Sequence, residues 1–285
     1  MPVYHGIDGA ALHYDLLGEP SSSPLIVLAG GAAAHPRYLG DLAGLSRQHR
    51  LIVPHLRGVG RSRLAPLGER GSRWHQAQDM DLLRAHLDLD RCTVVAHSAG
   101  TRLAIAHATS FPGHLAALVL ITPPTAYLVD VPSQPAALQA ARMTEPAFAA
   151  AVSAFEAGPD TSGDETFNEW QRAIAPRSYA QWNETAQTHA RSMWYFMNAA
   201  RAFMSGDAPA DLAHRVRDLK APTLVIAGAQ DATLHVAAVA ALTDQFPAGR
   251  LAVIDDCGHF PWIEQPARFR AAVDPFLDQL SREHP

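Results

Sequence analysis

Short apolar runs bounded by turn residues alternate along the chain with longer segments of helical period. The runs are rich in Val, Ile and Leu, which is typical of strands buried on both faces. Alternation of such strands with helices favours an α/β fold with parallel strands joined by helical crossovers. The predicted buried strands cover residues 25–29, 51–54, 92–96, 115–121, 223–227 and 251–254.

Two further patterns complete this arrangement. Residues 10–16 alternate between apolar and polar side chains, which predicts an edge strand. Longer segments carry apolar residues at helical spacing and would flank a mostly parallel sheet on both sides. The predicted helices cover residues 74–87, 101–109, 236–245 and 267–280.

The regular alternation stops at Thr122 and resumes at Pro222. The interval begins with a cluster of prolines and is otherwise helical and aromatic, so we expect a helical cap inserted into the fold. The predicted core is 1–122 and 213–285, and the predicted cap is 123–212. One helix face in the cap is predicted to carry Met193, Phe196, Met197, Ala200 and Met204.

Composition narrows the functional classes. The 285 residues are 48% hydrophobic and 18% charged, which is typical of a large folded domain and not of a disordered, collagenous or coiled-coil chain. The net charge is −5, and Lys220 is the one lysine. No basic surface is therefore expected, and no nucleic-acid partner.

The cysteines and the N-terminus indicate the compartment. Cys92 and Cys257 are too few for a disulfide framework or a cysteine-rich metal site. Residues 1–15 lack a basic segment followed by an apolar one, and no run is long enough for a membrane span. We therefore expect a cytoplasmic protein, monomeric or homodimeric, with no membrane partner, no metal and no cofactor.

The clearest chemical motif follows the predicted strand 92–96. The chain reads Ala-His-Ser-Ala-Gly from Ala96 to Gly100, and a predicted helix starts at once. Small residues two before and two after Ser98 are what a tight strand-to-helix turn requires. Such a nucleophile elbow exposes the serine hydroxyl. The alternative interpretation is a serine that only caps the following helix.

Two later strand ends carry the partners of a catalytic serine. Asp231 follows the predicted strand 223–227, and His259 follows the strand 251–254. The order Ser98, Asp231, His259 is the order of an α/β-hydrolase triad. Taken singly, Asp231 could cap a helix starting near residue 234, and His259 is one of fifteen histidines. Their joint placement at strand ends favours one catalytic set.

These segments resemble the α/β hydrolases with a helical cap, and among them the proline iminopeptidase-like enzymes. Three motifs carry the resemblance. The first is Leu-Ala-Gly-Gly ending at Gly31, which is followed by His35 and Pro36, and the second is residues 55–62, which are similar to DxRGxGxS. The third runs from Gly258 to Trp262 and is followed by Glu264 and Pro266. The chain departs from the family pattern at four positions. Ala29 stands where the family has His, and Ala32 where it has Pro. His55 stands where the family has Asp, and Ala99 where it has Trp.

The resemblance implies a serine hydrolase that cleaves an ester or amide through an acyl-enzyme. Ser98 would attack, His259 would serve as the base, and Asp231 would orient the imidazole. The backbone N–H groups of Gly31 and Ala99 would form the oxyanion hole. A small or medium, partly hydrophobic substrate would be bound by Gly30 and by cap residues. The cap candidates are Trp170, Trp182, Trp194, Tyr195 and Glu169.

Several functional alternatives stay open at this point. The same fold also supports acyl transfer, carbon–carbon bond cleavage or a lyase step, or it could serve as a silent binding protein. Recognition of a free α-amine, as in proline iminopeptidases, would use cap carboxylates, for which Glu169 and Glu184 are the candidates. The acyl group, the leaving group and the acceptor are not defined by the sequence.

Overall fold

The computed structural model describes residues 2–20, 23–63, 66–132 and 135–283. Met1 and Pro285, the ends of the predicted core, lie outside the described residues. Eight strands form one sheet in the order β1-β2-β4-β3-β5-β6-β7-β8. The strands are Val3–His5 (β1), Ala11–Leu17 (β2), Pro24–Leu28 (β3), Arg50–Pro54 (β4), Cys92–His97 (β5), Leu115–Ile121 (β6), Thr223–Gly228 (β7) and Gly249–Ile254 (β8).

Six of these strands run parallel, as the alternating pattern predicts. The pairs from β4 through β3, β5, β6 and β7 to β8 are all parallel, whereas β1 and β2 are antiparallel to their neighbours. The expectation of an edge strand near residues 10–16 is wrong, because β1 pairs with the outer side of β2. At three residues, β1 is too short to show a periodic pattern.

Helices pack on both faces of the sheet. The four helices predicted in the core lie within three residues of the expected bounds at each end. The helices are Arg73–His86 (α1), Gly100–Ser110 (α2), Ala136–Arg142 (α3), Pro146–Ala157 (α4), Asp164–Ile174 (α5), Glu184–Ser192 (α6), Met197–Met204 (α7), Leu212–Asp218 (α8), Val236–Thr243 (α9), Pro261–Glu264 (α10) and Pro266–Glu283 (α11).

The core consists of two apolar layers, one on each face of the sheet. Alternate residues of β5 show the division, since Val94 and Ala96 pack into one layer and Val95 into the other. All three are completely buried. A strand buried on both faces explains the continuous apolar runs of the sequence. It also fixes the register of β5, because a slip by one residue would exchange the two layers.

The segment between β6 and β7 contains helices α3 to α8, and its role as a cap stays a prediction. The expected single helix face through residues 193–204 is wrong, because α6 ends at Ser192 and α7 begins at Met197. The Asn168 side chain explains the break. It accepts the N–H of Tyr195 and donates to the carbonyl of Tyr195, both at 2.8 Å, and so takes both backbone groups away from a helix.

Candidate active site

Ser98 lies in a strained turn between β5 and α2. Its φ is +49°, a left-handed conformation that non-glycine residues rarely adopt. A Cβ on Gly100 would collide with the carbonyl oxygen of Ala29, so the small residue is required there. The side chain of Ser98 does not cap α2, whose N-cap is Ala99. This geometry is that of the elbow that the sequence predicts.

Asp231 and His259 meet at the same edge of the sheet. Nδ1 of His259 lies 2.6 Å from Oδ2 of Asp231, and the carboxylate is 1% exposed while the imidazole is 12% exposed. A carboxylate accepts, so Nδ1 carries the proton and Nε2 is left as an acceptor. Within the described residues neither Nε2 of His259 nor Oγ of Ser98 has a hydrogen-bond partner.

Thr233 holds the carboxylate from its other side. Its backbone N–H and its hydroxyl both donate to Oδ1 of Asp231, at 2.8 and 2.6 Å. The alternative interpretation of Asp231 as a helix cap fails, because His235 is the N-cap of α9 and accepts the N–H of Ala237. Thr233 was not among the site residues predicted from the sequence, although an Asp followed two residues later by Thr is typical of such a local turn.

The loop after β3 presents backbone N–H groups beside Ser98. A Cβ on Gly30 would lie 2.9 Å from the Cβ of Ser98, which shows how closely the two backbones approach. Gly31 has a φ of +64° and Ala32 one of +44°. Across the described ranges, the N–H groups of Gly31 and Ala99 make no hydrogen bond. Their role as the two donors of an oxyanion hole stays a prediction.

Ala32 also explains one departure from the family motif. Proline fixes φ near −65° and could not adopt the +44° of Ala32. The loop therefore takes a course that the proline-containing motif would not allow.

His55, a second departure from the motif, has a comparable explanation. Its Nδ1 accepts the N–H of Arg61 at 3.1 Å, and Nε2 then donates to Asp15 at 3.0 Å. The imidazole supplies the acceptor that an aspartate would supply.

A buried network joins this loop to His259. The N–H of Gly30 donates to the hydroxyl of Tyr38 at 2.6 Å, and that hydroxyl lies 2.8 Å from Nδ1 of His97. Nε2 of His97 lies 3.1 Å from the carbonyl of His259. The carbonyl only accepts, so Nε2 carries the proton and Nδ1 accepts from Tyr38. Burial lowers the pKa of His97 well below its ordinary value, in agreement with a neutral ring.

Glu264 holds the loop of His259 against the segment that precedes α6. Its carboxylate accepts N–H groups from Gly258 at 3.1 Å and Phe260 at 3.2 Å, which flank His259, and from Ala180 at 2.7 Å. Burial raises the pKa of Glu264 to about 7, even though the three amides act in the opposite direction. The sequence indicated Glu264 only as part of a motif.

The predicted cap residues divide into two groups. Tyr195 pairs with Ala34 in an isolated β-bridge, and its Cε1 lies 2.5 Å from where a Cβ on Gly31 would be. The carbonyl of Trp194 accepts the N–H of His35 at 2.8 Å. Both residues therefore contact the loop after β3.

The other predicted cap residues have contacts within their own region. The indole N–H of Trp170 donates to the Ala154 carbonyl at 2.9 Å, and Trp182 packs on Tyr179 with ring centres 5.4 Å apart. Glu169 is exposed, as is Glu184. Among the described residues, none of these four side chains forms a hydrogen bond with Ser98.

A cavity of about 1050 Å³ opens between α7, the turn Gly68–Gly71 and the start of α1. Phe196 and Trp74 contribute to its walls, whereas Ser98 and His259 do not.

In the part of the chain that the structure describes, no three His, Cys, Asp or Glu side chains are grouped to hold a metal ion. Likewise, no described helix has both the length and the apolar character needed to cross a bilayer.

Comparison with known proteins gives one family match. The family described as alpha/beta hydrolase fold matches residues 23–266. A proline iminopeptidase of Xylella fastidiosa (strain 9a5c) is 30% identical over 128 residues, which are 42% of this chain and 39% of that protein. The matched part is thus about two fifths of the length of that relative.

Two further proteins are similar over nearly the whole chain. A protein named putative carbamate hydrolase RutD, of Pseudomonas savastanoi pv. phaseolicola (strain 1448A / Race 6), is 26% identical over 270 residues, 91% of this chain and 96% of that one. The crystal structure of the esterase RhEst1 from Rhodococcus sp. ECU1013 superposes with a TM-score of 0.75 and 20% identity, covering 98% of each chain.

Proposed function

The chain belongs to the α/β-hydrolase fold family, and we propose that it is a serine hydrolase of small, partly hydrophobic esters or amides. The observation that carries this proposal is the pair formed by His259 and Asp231, 2.6 Å apart, with His259 in a loop that bonds to His97, the residue before the strained Ser98. In this proposal Ser98 is the nucleophile, His259 the general base, and Asp231 the group that orients the imidazole.

The proposed reaction proceeds in two halves. Nε2 of His259 takes the proton of the Ser98 hydroxyl as the oxygen attacks the acyl carbon, and the same proton then passes to the leaving group. The acyl-enzyme is hydrolysed by a water that His259 activates in turn. The unused N–H groups of Gly31 and Ala99 would bind the negative oxygen, and each donor of this kind contributes about 3 kcal/mol to the transition state.

Esters are the favoured class within this proposal. Recognition of a free α-amine needs a carboxylate close to the site, and the two candidates, Glu169 and Glu184, are exposed. The contact between Tyr195 and the loop of Gly31 instead supports an apolar, aromatic boundary for the acyl group. The two buried free thiols, Cys92 and Cys257, support a reducing compartment, the cytoplasm.

The test uses purified protein, a series of p-nitrophenyl esters of increasing acyl length and a set of aminoacyl anilides. We expect a burst of nitrophenol followed by steady turnover, with esters cleaved faster than anilides. Ser98→Ala should abolish the burst and reduce turnover by about 10³-fold or more. Thr101→Ser, a conservative change in the first turn of α2, serves as the control for folding. Undiminished turnover by Ser98→Ala would overturn the proposal.

A further inference from the structure

Arg102 occupies an unusual position in the first turn of α2. It lies four residues after Ser98, and its backbone N–H donates to the carbonyl of Ala99 at 3.0 Å. The N-terminal end of a helix carries partial positive charge, so a cation in the first turn is disfavoured. The guanidinium does not extend freely into water either, because its carbon lies 4.2 Å from the centre of the Tyr127 ring.

No acidic side chain balances this charge. Along the described ranges, the guanidinium of Arg102 makes no hydrogen bond and no ion pair. Arg73 is a second cation close by. It is 6% exposed and donates only to neutral oxygens, the carbonyls of Met204 at 3.3 Å and Gly206 at 3.5 Å. Burial lowers the pKa of both arginines, and the charge of Arg102 lowers the pKa of Arg73 further.

The neighbouring polar groups are donors as well. The indole N–H of Trp74, which the Arg73 guanidinium overlies at 5.2 Å, and the hydroxyl of Tyr127 are both buried and have no hydrogen-bond partner among the described residues. Asp207 raises the pKa of Arg73 but forms no ion pair with it among the described residues. The cluster therefore combines two partly desolvated guanidinium groups with unused N–H and O–H donors, and no described carboxylate forms an ion pair with either guanidinium.

We propose that Arg102 and Arg73 bind an oxyanion, a carboxylate or phosphate group of a small ligand. Guanidinium groups match such anions in charge and in the geometry of paired N–H donors, and a helix N-terminus favours the same sign of ligand. A bound anion supplies the missing counter-charge of the cluster. This site goes beyond the proposed hydrolase activity and does not depend on Ser98 being a nucleophile.

The test measures the thermal unfolding midpoint, Tm, in sodium phosphate and in sodium malonate against sodium chloride of equal ionic strength. We expect one of the two anions to raise the Tm of the native protein by about 3 °C or more, with saturation. The anion that saturates at the lower concentration identifies the group. Arg102→Gln should lose most of this shift. Arg201→Gln, which removes an exposed arginine of α7 at the cavity wall, should keep it.

A second variant separates a binding role from a structural one. Arg102→Met retains the aliphatic stem and removes the unbalanced charge, so in chloride its Tm should equal or exceed that of the native protein. A clear fall in this Tm would overturn the proposal, because Arg102 would then stabilise the free protein. The absence of any anion-specific shift, or an equal shift in Arg102→Gln, would overturn it too.

Discussion

The imidazole of His97 donates from Nε2 to the backbone carbonyl of His259 at 3.1 Å, so the residue before Ser98 holds the loop that carries the proposed base. The hydroxyl of Thr122 donates to the same carbonyl at 3.1 Å. The ends of the adjacent strands β5 and β6 thereby contribute to the position of His259 in the loop after β8. The other nitrogen of His97 connects through Tyr38 to Gly30, so one neutral ring joins both sides of the site.

His97→Phe tests whether this ring positions the site. The variant keeps the ring volume and loses both hydrogen bonds, leaving the carbonyl of His259 short of one donor. We expect kcat for a p-nitrophenyl ester to fall by about 10- to 100-fold with KM changed little, because a small displacement of the base affects the chemical step. The free energy of unfolding should fall by about 1–3 kcal/mol.

Tyr38→Phe is the matched control for this prediction, because it removes the hydroxyl that links His97 to Gly30 and keeps the hydrogen bond from His97 to the carbonyl of His259. Its effect on kcat should be smaller than that of His97→Phe. A variant at His97 with reduced stability and native kcat would show that the ring has only a packing role.

Glu264 makes the stability of the protein depend on pH. Its pKa is raised from 4.5 to about 7, so the folded state holds the proton more strongly than the unfolded chain. The stabilisation linked to this proton is present below pH 4.5 and is lost as the pH rises through 7. Glu264→Gln cannot titrate. We expect the free energy of unfolding of this variant, minus that of the native protein, to be about 1–3 kcal/mol larger at pH 8 than at pH 5.

Urea unfolding of both proteins at pH 5, 6, 7 and 8 measures this difference. Glu145→Gln is the control. Arg142 lowers the pKa of Glu145, so that carboxylate stays ionised throughout the range and the difference from native should be constant. A difference for Glu264→Gln that also stays constant from pH 5 to 8 would contradict the raised pKa.

The loop of Gly31 and Ala32 gives a prediction about backbone conformation. Ala32→Pro should remove nearly all esterase activity, because proline cannot adopt a φ of +44° and the neighbouring N–H of Gly31 would be displaced. Gly31→Ala should have a similar effect, since its Cβ would lie 2.5 Å from Cε1 of Tyr195. Ala43→Gly, at another left-handed residue away from the site, should leave activity unchanged. Activity retained by Ala32→Pro would contradict this geometry.

The helices and strands with a clear pattern of apolar residues could be predicted from the sequence, whereas the contacts between distant elements could not. Six strands and the positions of Ser98, Asp231 and His259 at strand ends follow from apolar runs and their turn residues. The prediction that all six are buried is wrong for β8, because it is the last strand of the sheet and leaves Leu251 and Val253 36% and 44% exposed. Tyr38 carries no comparable signal, since its role arises only when the sheet brings separate loops together, whereas Thr233 bonds to Asp231 within a local turn. The helix break before Met197 depends on Asn168, a residue 27 positions before Tyr195 whose side chain bonds to the backbone groups of Tyr195.

The buried ion pair of Arg57 gives a prediction about the stability of the protein. Its guanidinium donates to both oxygens of Asp79, at 2.6 and 2.9 Å, and also to Asp8, and the side chains of Arg57 and Asp79 are 2% and 3% exposed. Removing one partner leaves a buried charge without compensation. Arg57→Met should therefore lower the free energy of unfolding by about 3–5 kcal/mol.

A double-mutant cycle in urea separates the pair from the cavity that Met leaves. Asp79→Asn alone should destabilise the protein as well, but the double variant Arg57→Met with Asp79→Asn removes both charges at once. Its loss should be smaller than the sum of the single losses by at least about 1 kcal/mol. Strict additivity would mean that the two side chains do not stabilise each other. Because Arg57 lies outside the contacts of His259, kcat of the folded variants should stay within about twofold of native, which distinguishes this ion pair from the network of His97.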